Sequence, residues 1–462
     1  MKVEKFSDVS VVLDDNGLIS ICCDPERRGT DIYNEYYFLD RNTNETVAHF
    51  SSTGVMHAEL LSEFNDRIFE VSYYAHNDDD KDITQIVRTN PDFTYEVLHD
   101  IEDYEAGIED GAFAIRKNGL WGFIDYNGVE IIKPQYDDYR AFRNGYACVK
   151  KDKKWGFINK NNELVIPFVY DLPDFYHDER HIERGYSSFV NHNGRLLAKI
   201  AKGKKWGITD VNNDIVLPFK YDWLLLGSSK YISAKLNNKF GFIDINDNVV
   251  IPFEYDDLGI RKKYIWAQKG EKCGYIDFNN NIVVPFEYEP VEETFCGAYC
   301  NLEQYDLIGK KGLIGLFDNE NLKEVIPCIY KELEVCDDLI IVKKQNDKYV
   351  LINFENQEIC SEYEEIEYQG EDIFTVKNNR TSAFMNKQGE LLTKMVYINH
   401  PHFFHGGLCV AEYRNYEKGA DVINTKGEVL YHAKRYREVF NLGNSYILAE
   451  NGNREYEFVK LL

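Results

Sequence analysis

The chain has 462 residues, 44 % of them hydrophobic and 28 % charged, a balance that suits a folded core and excludes a disordered chain. Its formal charge of −25 repels phosphate backbones and disfavours a nucleic-acid partner. No run of about 18 apolar residues is present, which excludes a spanning helix, and an aromatic share of 14 %, mostly Tyr and Phe, favours strands.

In chain order, Met1–Gly17 has no apolar stretch of the secretory type. The expectation is a cytoplasmic protein whose ten cysteines are reduced, most of them inside apolar strand-like runs such as Cys148 in YACVKK. Residues 1–110 carry no clear motif, although YYFLD at 36–40 and QIVRT at 85–89 read as eroded copies of a repeat that is plain from residue 120 onward. Cys22 and Cys23 are adjacent and suit opposite faces of a strand rather than a metal site.

From residue 120 the sequence repeats itself. Residues 120–138 (LWGFIDYNGVEIIKPQYDD), 154–171 (KWGFINKNNELVIPFVYD), 205–222 (KWGITDVNNDIVLPFKYD), 239–256 (KFGFIDINDNVVIPFEYD) and 272–289 (KCGYIDFNNNIVVPFEYE) are near copies. Weaker copies follow at 313–331, 348–364, near 382–397 and at 420–431. The anchor positions are Trp121, Trp155, Trp206, Phe240, Cys273, Ile314, Tyr349, Ser382 and Ala420, about 34 residues apart with longer steps after Trp155 and Cys273.

Each copy has a physical grammar. In the strand Trp155-Gly156-Phe157-Ile158 the period of two puts Trp155 and Phe157 on one face. Gly156, like Gly122, Gly207, Gly241 and Gly274, leaves room for a neighbouring backbone or ring. An Asx-rich segment such as Asp125-Tyr126-Asn127-Gly128 predicts a two-residue hairpin turn with positive φ values. The returning apolar strand reaches a proline, at Pro134, Pro167, Pro218, Pro252 and Pro285, which marks strand ends or edges because proline donates nothing to a ladder. A tyrosine follows: Tyr136, Tyr170, Tyr221, Tyr255 and Tyr288. With another strand before each anchor, such as Tyr146–Lys150, a repeat has at least three antiparallel strands, and four if the segment after Tyr-Asp contributes one. No such unit buries its apolar face alone, so neighbours must stack.

The K-W-G-F-I-D … V-I-P-x-x-Y-D signature resembles the WG-repeat family, closely over 118–289, more weakly to about 436, and not over 1–110. The resemblance implies a β-repeat scaffold of largely unassigned function, often inferred to mediate interactions; it brings no catalytic residues. The expected fold class is all-β: tandem antiparallel β-meanders of about 34 residues, propeller-like or spiral, with an open β-solenoid as the alternative. Nine or more repeats exceed the usual ~4–8 blades of one ring, so two smaller rings or a spiral fit better. The expected organisation is 1–110 as degenerate repeats or a cap, 111–300 as well-preserved repeats, and 301–462 as degenerate repeats with a C-terminal cap.

Chemistry-bearing groups are few. His400, His402 and His405 crowd together near Cys409 and are weak metal candidates, but FFHGGL at 403–408 aligns with the ordinary linker AFRNGY at 141–146. His177 and His181 fall in an insertion without the zinc-protease order. Cys296 and Cys300 lack a second pair. The expectation is therefore no metal, no cofactor and no catalytic residue. The per-repeat Tyr-Asp pairs read as inter-repeat packing plus turn initiation, against an aromatic-acidic strip for basic peptides or sugars. The leading functional expectation is a non-catalytic scaffold binding a protein partner through an exposed face or the insertions at 172–200 and 290–312. The lysine runs at 151–154 and 202–205 read as hairpin tips. Alternatives are an immunity or inhibitor protein that neutralises a basic toxin, and a carbohydrate-binding or carbohydrate-active protein.

Overall fold

The computed structural model describes residues 2–3, 8–13, 18–24, 33–40, 46–53, 55–60, 68–73, 83–90, 94–105, 110–125, 127–171, 189–226, 230–291, 304–398, 404, 406–415, 418–434, 439–443, 446–450 and 456–461. Every regular element among them is a strand, and neighbouring strands pair antiparallel as meanders.

The Trp155 repeat shows how the sequence writes one sheet. Its strands Asp138–Arg143, Tyr146–Lys151, Lys154–Asn159 and Leu164–Tyr170 pair in that order. The first, after Tyr136-Asp137, is the fourth strand that the sequence left open. Between the second and third lies a two-residue turn, Asp152-Lys153, with φ of 51° and 66°, the double left-handed geometry that matches strand twist.

Between the third and fourth strands the expected two-residue turn is replaced by a three-residue loop. Asn159 N donates to the Glu163 carbonyl at 3.1 Å, and the Asn159 Oδ1 accepts the amides of Asn161 and Glu163 at 3.0 and 2.9 Å. With the side chain holding two amides, only one residue, Asn162 at φ 62°, is left-handed. Asp210, Asp244 and Asp277 organise the same loop, as does Asp125 ahead of Gly128.

The pairing explains why glycine and proline recur together. Trp155 stands opposite Tyr170, whereas Phe157 stands opposite Ile166, so the fourth strand bulges over Gly156. A Cβ on Gly156 would lie 2.6 Å from the Ile166 carbonyl oxygen and 3.0 Å from the Phe168 ring. Pro167 sits in that bulge, on an edge strand, where its missing N–H leaves no donor unpaired.

This register extends beyond the legible signature. The anchors Trp121, Trp155, Trp206, Phe240, Cys273 and Ile314 stand opposite Tyr136, Tyr170, Tyr221, Tyr255, Tyr288 and Tyr330. Tyr349 and Ser382 stand opposite Tyr363 and Tyr397 through isolated bridges, and Ala420 opposite Ala433. In the N-terminal region, Tyr33–Asp40 and Ile83–Thr89 are the third strands of two four-stranded meanders, so YYFLD and QIVRT lie in strands that take the anchor strand's place. The insertion at 172–200 is only partly loop, since Phe189–His192 and Arg195–Lys202 are strands of the Trp206 repeat; likewise Tyr305–Lys310 is a strand within 290–312. Residues 172–188 and 292–303 lie outside the described residues.

The chain divides into two compact units, Ser7–Tyr255 and Asp256–Leu462 joined by Met1–Phe6. The division differs from one drawn on motif preservation. The first unit holds six four-stranded meanders. In the second, Lys2 and Val3 pair with Glu457 and Tyr456 and supply the fourth strand of the last sheet. In each unit the core lies between successive sheets: Trp155, Phe157, Ile166 and Tyr170 of one pack with Phe189, Ala198 and Ile200 of the next. A repeat is therefore stabilised by its neighbour's apolar face as much as by its own.

Candidate interaction surface

Most signature side chains are turned inward. Trp155 is 2 % exposed and Trp206 is likewise buried, while Trp121 is half-buried. Cations lie over the anchor rings: Arg140 and Lys150 are 5.0 and 5.5 Å from the Trp155 ring, and Lys235 is 4.9 Å from Phe240. The signature tyrosines latch repeats together. Their rings are buried, and Tyr136, Tyr170 and Tyr330 donate to the left-handed Asn162, Asn213 and Asn356 of the next repeat's loop at 2.6, 2.7 and 2.7 Å. Tyr221 makes the same bond to Asp247. Burial pushes the Tyr136, Tyr170 and Tyr221 phenols up from their ordinary pKa. With their rings buried, these tyrosines offer no stacking face.

The acids after Tyr170, Tyr221, Tyr255 and Tyr288 cap a turn of the following repeat. Asp171 accepts from Gly203 N at 3.0 Å and from Lys154 Nζ at 2.5 Å; Glu289 accepts from Gly312 N at 3.1 Å and Lys272 Nζ at 3.0 Å. The Lys154 hydrogen bond holds the Asp171 carboxyl below its usual range, as Lys205 does for Asp222. The lysines of the two basic runs are thus committed in part to these internal pairs.

What faces water is a recurring aliphatic position, the first residue of the fourth strand. In the first unit it is Leu164, Ile215 and Val249, exposed by 52, 62 and 58 % in three successive repeats, while the Trp121 repeat before them has Glu130 there. Isolated exposed aliphatics are ordinary; the same one on consecutive repeats makes a row. The equivalent residues of the second unit are Ile282, Leu391 and Val429, also exposed, with Glu324 and Glu358 interrupting.

Sequence reasoning missed one polar assembly. Asp421, 2 % exposed, accepts from Tyr397 and Tyr413 hydroxyls at 2.9 and 2.7 Å and from His432 Nδ1 at 2.7 Å. His432 stands opposite it in the sheet and is 52 % exposed. Burial and the Asp421 carboxylate raise the Tyr397 and Tyr413 phenols. The available signal was that Asp421 occupies the glycine place of the Trp-Gly pair, where six other repeats keep Gly122, Gly156, Gly207, Gly241, Gly274 and Gly315.

His400, His402, His405, His177, His181, Cys296 and Cys300 lie outside the described residues. Among the described residues no three His, Cys, Asp or Glu side chains group to hold a metal, and no helix is long and apolar enough to cross a membrane. Cys148 and Cys409 are buried, and burial pushes their thiols up, away from reactivity.

The WG containing repeat family matches residues 121–155, 155–172, 206–240 and 240–273. Residues 121–273 carry WG repeats. The WG anchors are the ones whose register the structure extends to Ala420, well past the matched segment. No curated protein matches the chain. Among solved structures, a eukaryotic initiation factor is similar at 10 % identity, covering 78 % of this chain and 90 % of that one, with a TM-score of 0.34. BamB from Moraxella catarrhalis is similar at 10 % identity over 57 % of this chain and 88 % of its own, TM-score 0.25. Hsv2 from Kluyveromyces lactis, also at 10 % identity, covers 53 % and 95 % with a TM-score of 0.25. At such scores the likenesses carry no weight; the fold of the WG repeats rests on this chain's own strand pairing.

Proposed function

We propose that the protein is a non-catalytic repeat scaffold that binds a basic protein partner along the exposed row Leu164, Ile215 and Val249. The observation that supports this is a division of labour in these three repeats: Trp or Phe, Tyr and the following acid are committed to packing and latching, while the aliphatic residue that opens the fourth strand is left in water. A row of aliphatic contacts supplies contact area, and a net charge of −25 favours encounter with a basic surface. A partner that is a basic toxin, neutralised by the chain, is the narrower case the same charge favours.

The test uses the full chain with Leu164→Asp, Ile215→Asp and Val249→Asp together. All three side chains are exposed, so melting is expected to stay within about 2 °C of the parent, as for surface substitutions. Capture of the partner from native lysate is expected to fall at least tenfold, and parental capture to weaken as salt rises past roughly 0.15 M. Undiminished capture by a normally folded triple variant would overturn the assignment.

A further inference from the structure

The acidity of the chain is unevenly spread. Residues 111–240 carry 21 Lys and Arg against 14 Asp and Glu, in a chain with 53 against 78. Part of that excess sits at the turns between the second and third strands of three successive repeats, as Lys117, Lys151, Lys153, Lys202 and Lys204, all exposed. In the second unit lysines are paired: Lys272 with Glu289 at 3.0 Å, Lys343 with Glu332 at 2.7 Å and Lys377 with Glu365 at 2.8 Å. Among the described residues none of the five turn lysines has a carboxylate in ion-pair reach.

The three turns are held side by side. Asp171 accepts from both Lys154 Nζ and Gly203 N, so the turn at 202–204 lies against the one at 151–153. One repeat earlier Tyr136 stands opposite Trp121 while Asp137 N donates to the Lys150 carbonyl at 2.9 Å, which brings the turn at 117–119 to the same edge. Against the five lysines stand Glu102, which accepts from Gly119 N at 2.9 Å, and the exposed Asp137 and Asp152, so the strip stays positive. Lys153 holds a φ of 66°, a left-handed place that Asn, Asp or Gly ordinarily fills, as Asn238 does at 63° in the Phe240 repeat. A lysine there strains the backbone to present a charge that no described carboxylate takes.

We propose that this lysine strip docks a short acidic peptide segment of a partner protein. It is a second surface, independent of the Leu164 row: Lys153 and Leu164 lie beyond opposite ends of the strand Lys154–Asn159, which spans about 20 Å. Length decides the kind of anion. The strip acts within about a Debye length, ~8 Å at physiological salt, so a segment of a few acids meets the lysines alone. A nucleic-acid duplex or an anionic membrane extends further and meets the acidic remainder of the chain, where residues 1–110 carry 26 Asp and Glu against 8 Lys and Arg. Single-stranded nucleic acid fits no better, because Trp155 and Trp206, the rings that follow the two lysine-rich turns, are buried and offer no stacking face.

The test is binding of a labelled decaglutamate peptide to the full chain at low salt, read by fluorescence anisotropy, with a short DNA duplex as the comparison. Two variants carry the same change of net charge. One joins Lys151→Glu, Lys153→Glu, Lys202→Glu and Lys204→Glu; the other joins Lys323→Glu, Lys394→Glu, Lys426→Glu and Lys434→Glu, exposed lysines of the second unit. Expected is saturable peptide binding that weakens with salt, falls about tenfold or more in the strip variant, and stays within about threefold of the parent in the other. Lys153→Gly separates docking from folding. Glycine takes a φ of 66° without strain, so this variant should melt at or above the parent yet bind the peptide about twofold more weakly. No saturable binding, an equal loss in the two charge-matched variants, or a duplex bound as tightly as the peptide would overturn the proposal.

Discussion

The Trp155 and Ala420 repeats share a register but differ in what fills it. In the first, a ring stands at the anchor, glycine follows, and the fourth strand bulges over it. In the second, alanine stands at the anchor and Asp421 replaces glycine; residues 420–422 pair with 433–431 without a bulge. The latch differs as well. Tyr170 reaches Asn213 in the next loop, but the residue equivalent to Asn213 beyond Tyr397 is Gly427, which has no side chain, and Tyr397 bonds Asp421 instead. Register is thus more durable than the residues that announce it. Backbone pairing survives so long as each lost contact is replaced by another of similar reach.

Four substitutions or conditions break or sharpen that comparison. The largest effect is expected from Gly156→Val: its Cβ meets a backbone carbonyl that cannot give way, so a loss of roughly 3 kcal/mol or more is expected in denaturant melts. At the equivalent place in the Ala420 repeat the requirement is reversed, and a smaller residue is the damaging one. Asp421→Ala leaves two tyrosine hydroxyls and the His432 ring without their acceptor and should cost about 2–3 kcal/mol.

Tyr170→Phe removes one hydroxyl from the latch, and a loss of about 1 kcal/mol is expected, with faster amide exchange around Asn213. Alkaline pH acts on many latches at once. The phenols of Tyr136, Tyr170, Tyr221, Tyr330 and Tyr397 lie above the ordinary 10.0 in the folded chain. A raised folded pKa gives stability that is complete below the unfolded value and is lost as pH rises through the folded one. Stability should therefore hold to about pH 10 and then fall, with tyrosinate absorbance appearing together with unfolding rather than before it. Free titration of these phenols near pH 10 in a still-folded chain would contradict their burial.

Much of the fold was legible because period and punctuation act locally. Trp155, Gly156, Asn159, Pro167 and Tyr170 each dictate backbone geometry within a few residues, and the anchor spacing carried the register as far as Ala420. The strand Asp138–Arg143 was left open because its sequence has no signature of its own; it forms because Tyr139 and Phe142 pack into the sheet core. The three-residue loop was missed because Asn159 does through its side chain what a second left-handed residue would have done. The Asp421 assembly could not be read as a motif, since it joins residues 397, 413, 421 and 432 through pairing alone. The exposed row was hidden for the opposite reason: Leu164 and Ile166 look alike in the sequence, yet Leu164 opens its strand in water and Ile166 is buried.

The most direct test of the shared register compares two anchors by calorimetry, Trp155→Ala and Ser382→Ala. Trp155 fills the space between two sheets, and its loss should cost ~3–5 kcal/mol through the cavity left behind. That lowers the melting transition by at least roughly 6 °C for a unit of this size. Ser382 holds the same place with a buried hydroxyl that has no partner, so its replacement by alanine should leave melting unchanged or slightly raised. A shift below about 2 °C for Trp155→Ala would show that the ring is not a core anchor and would contradict the account at its centre.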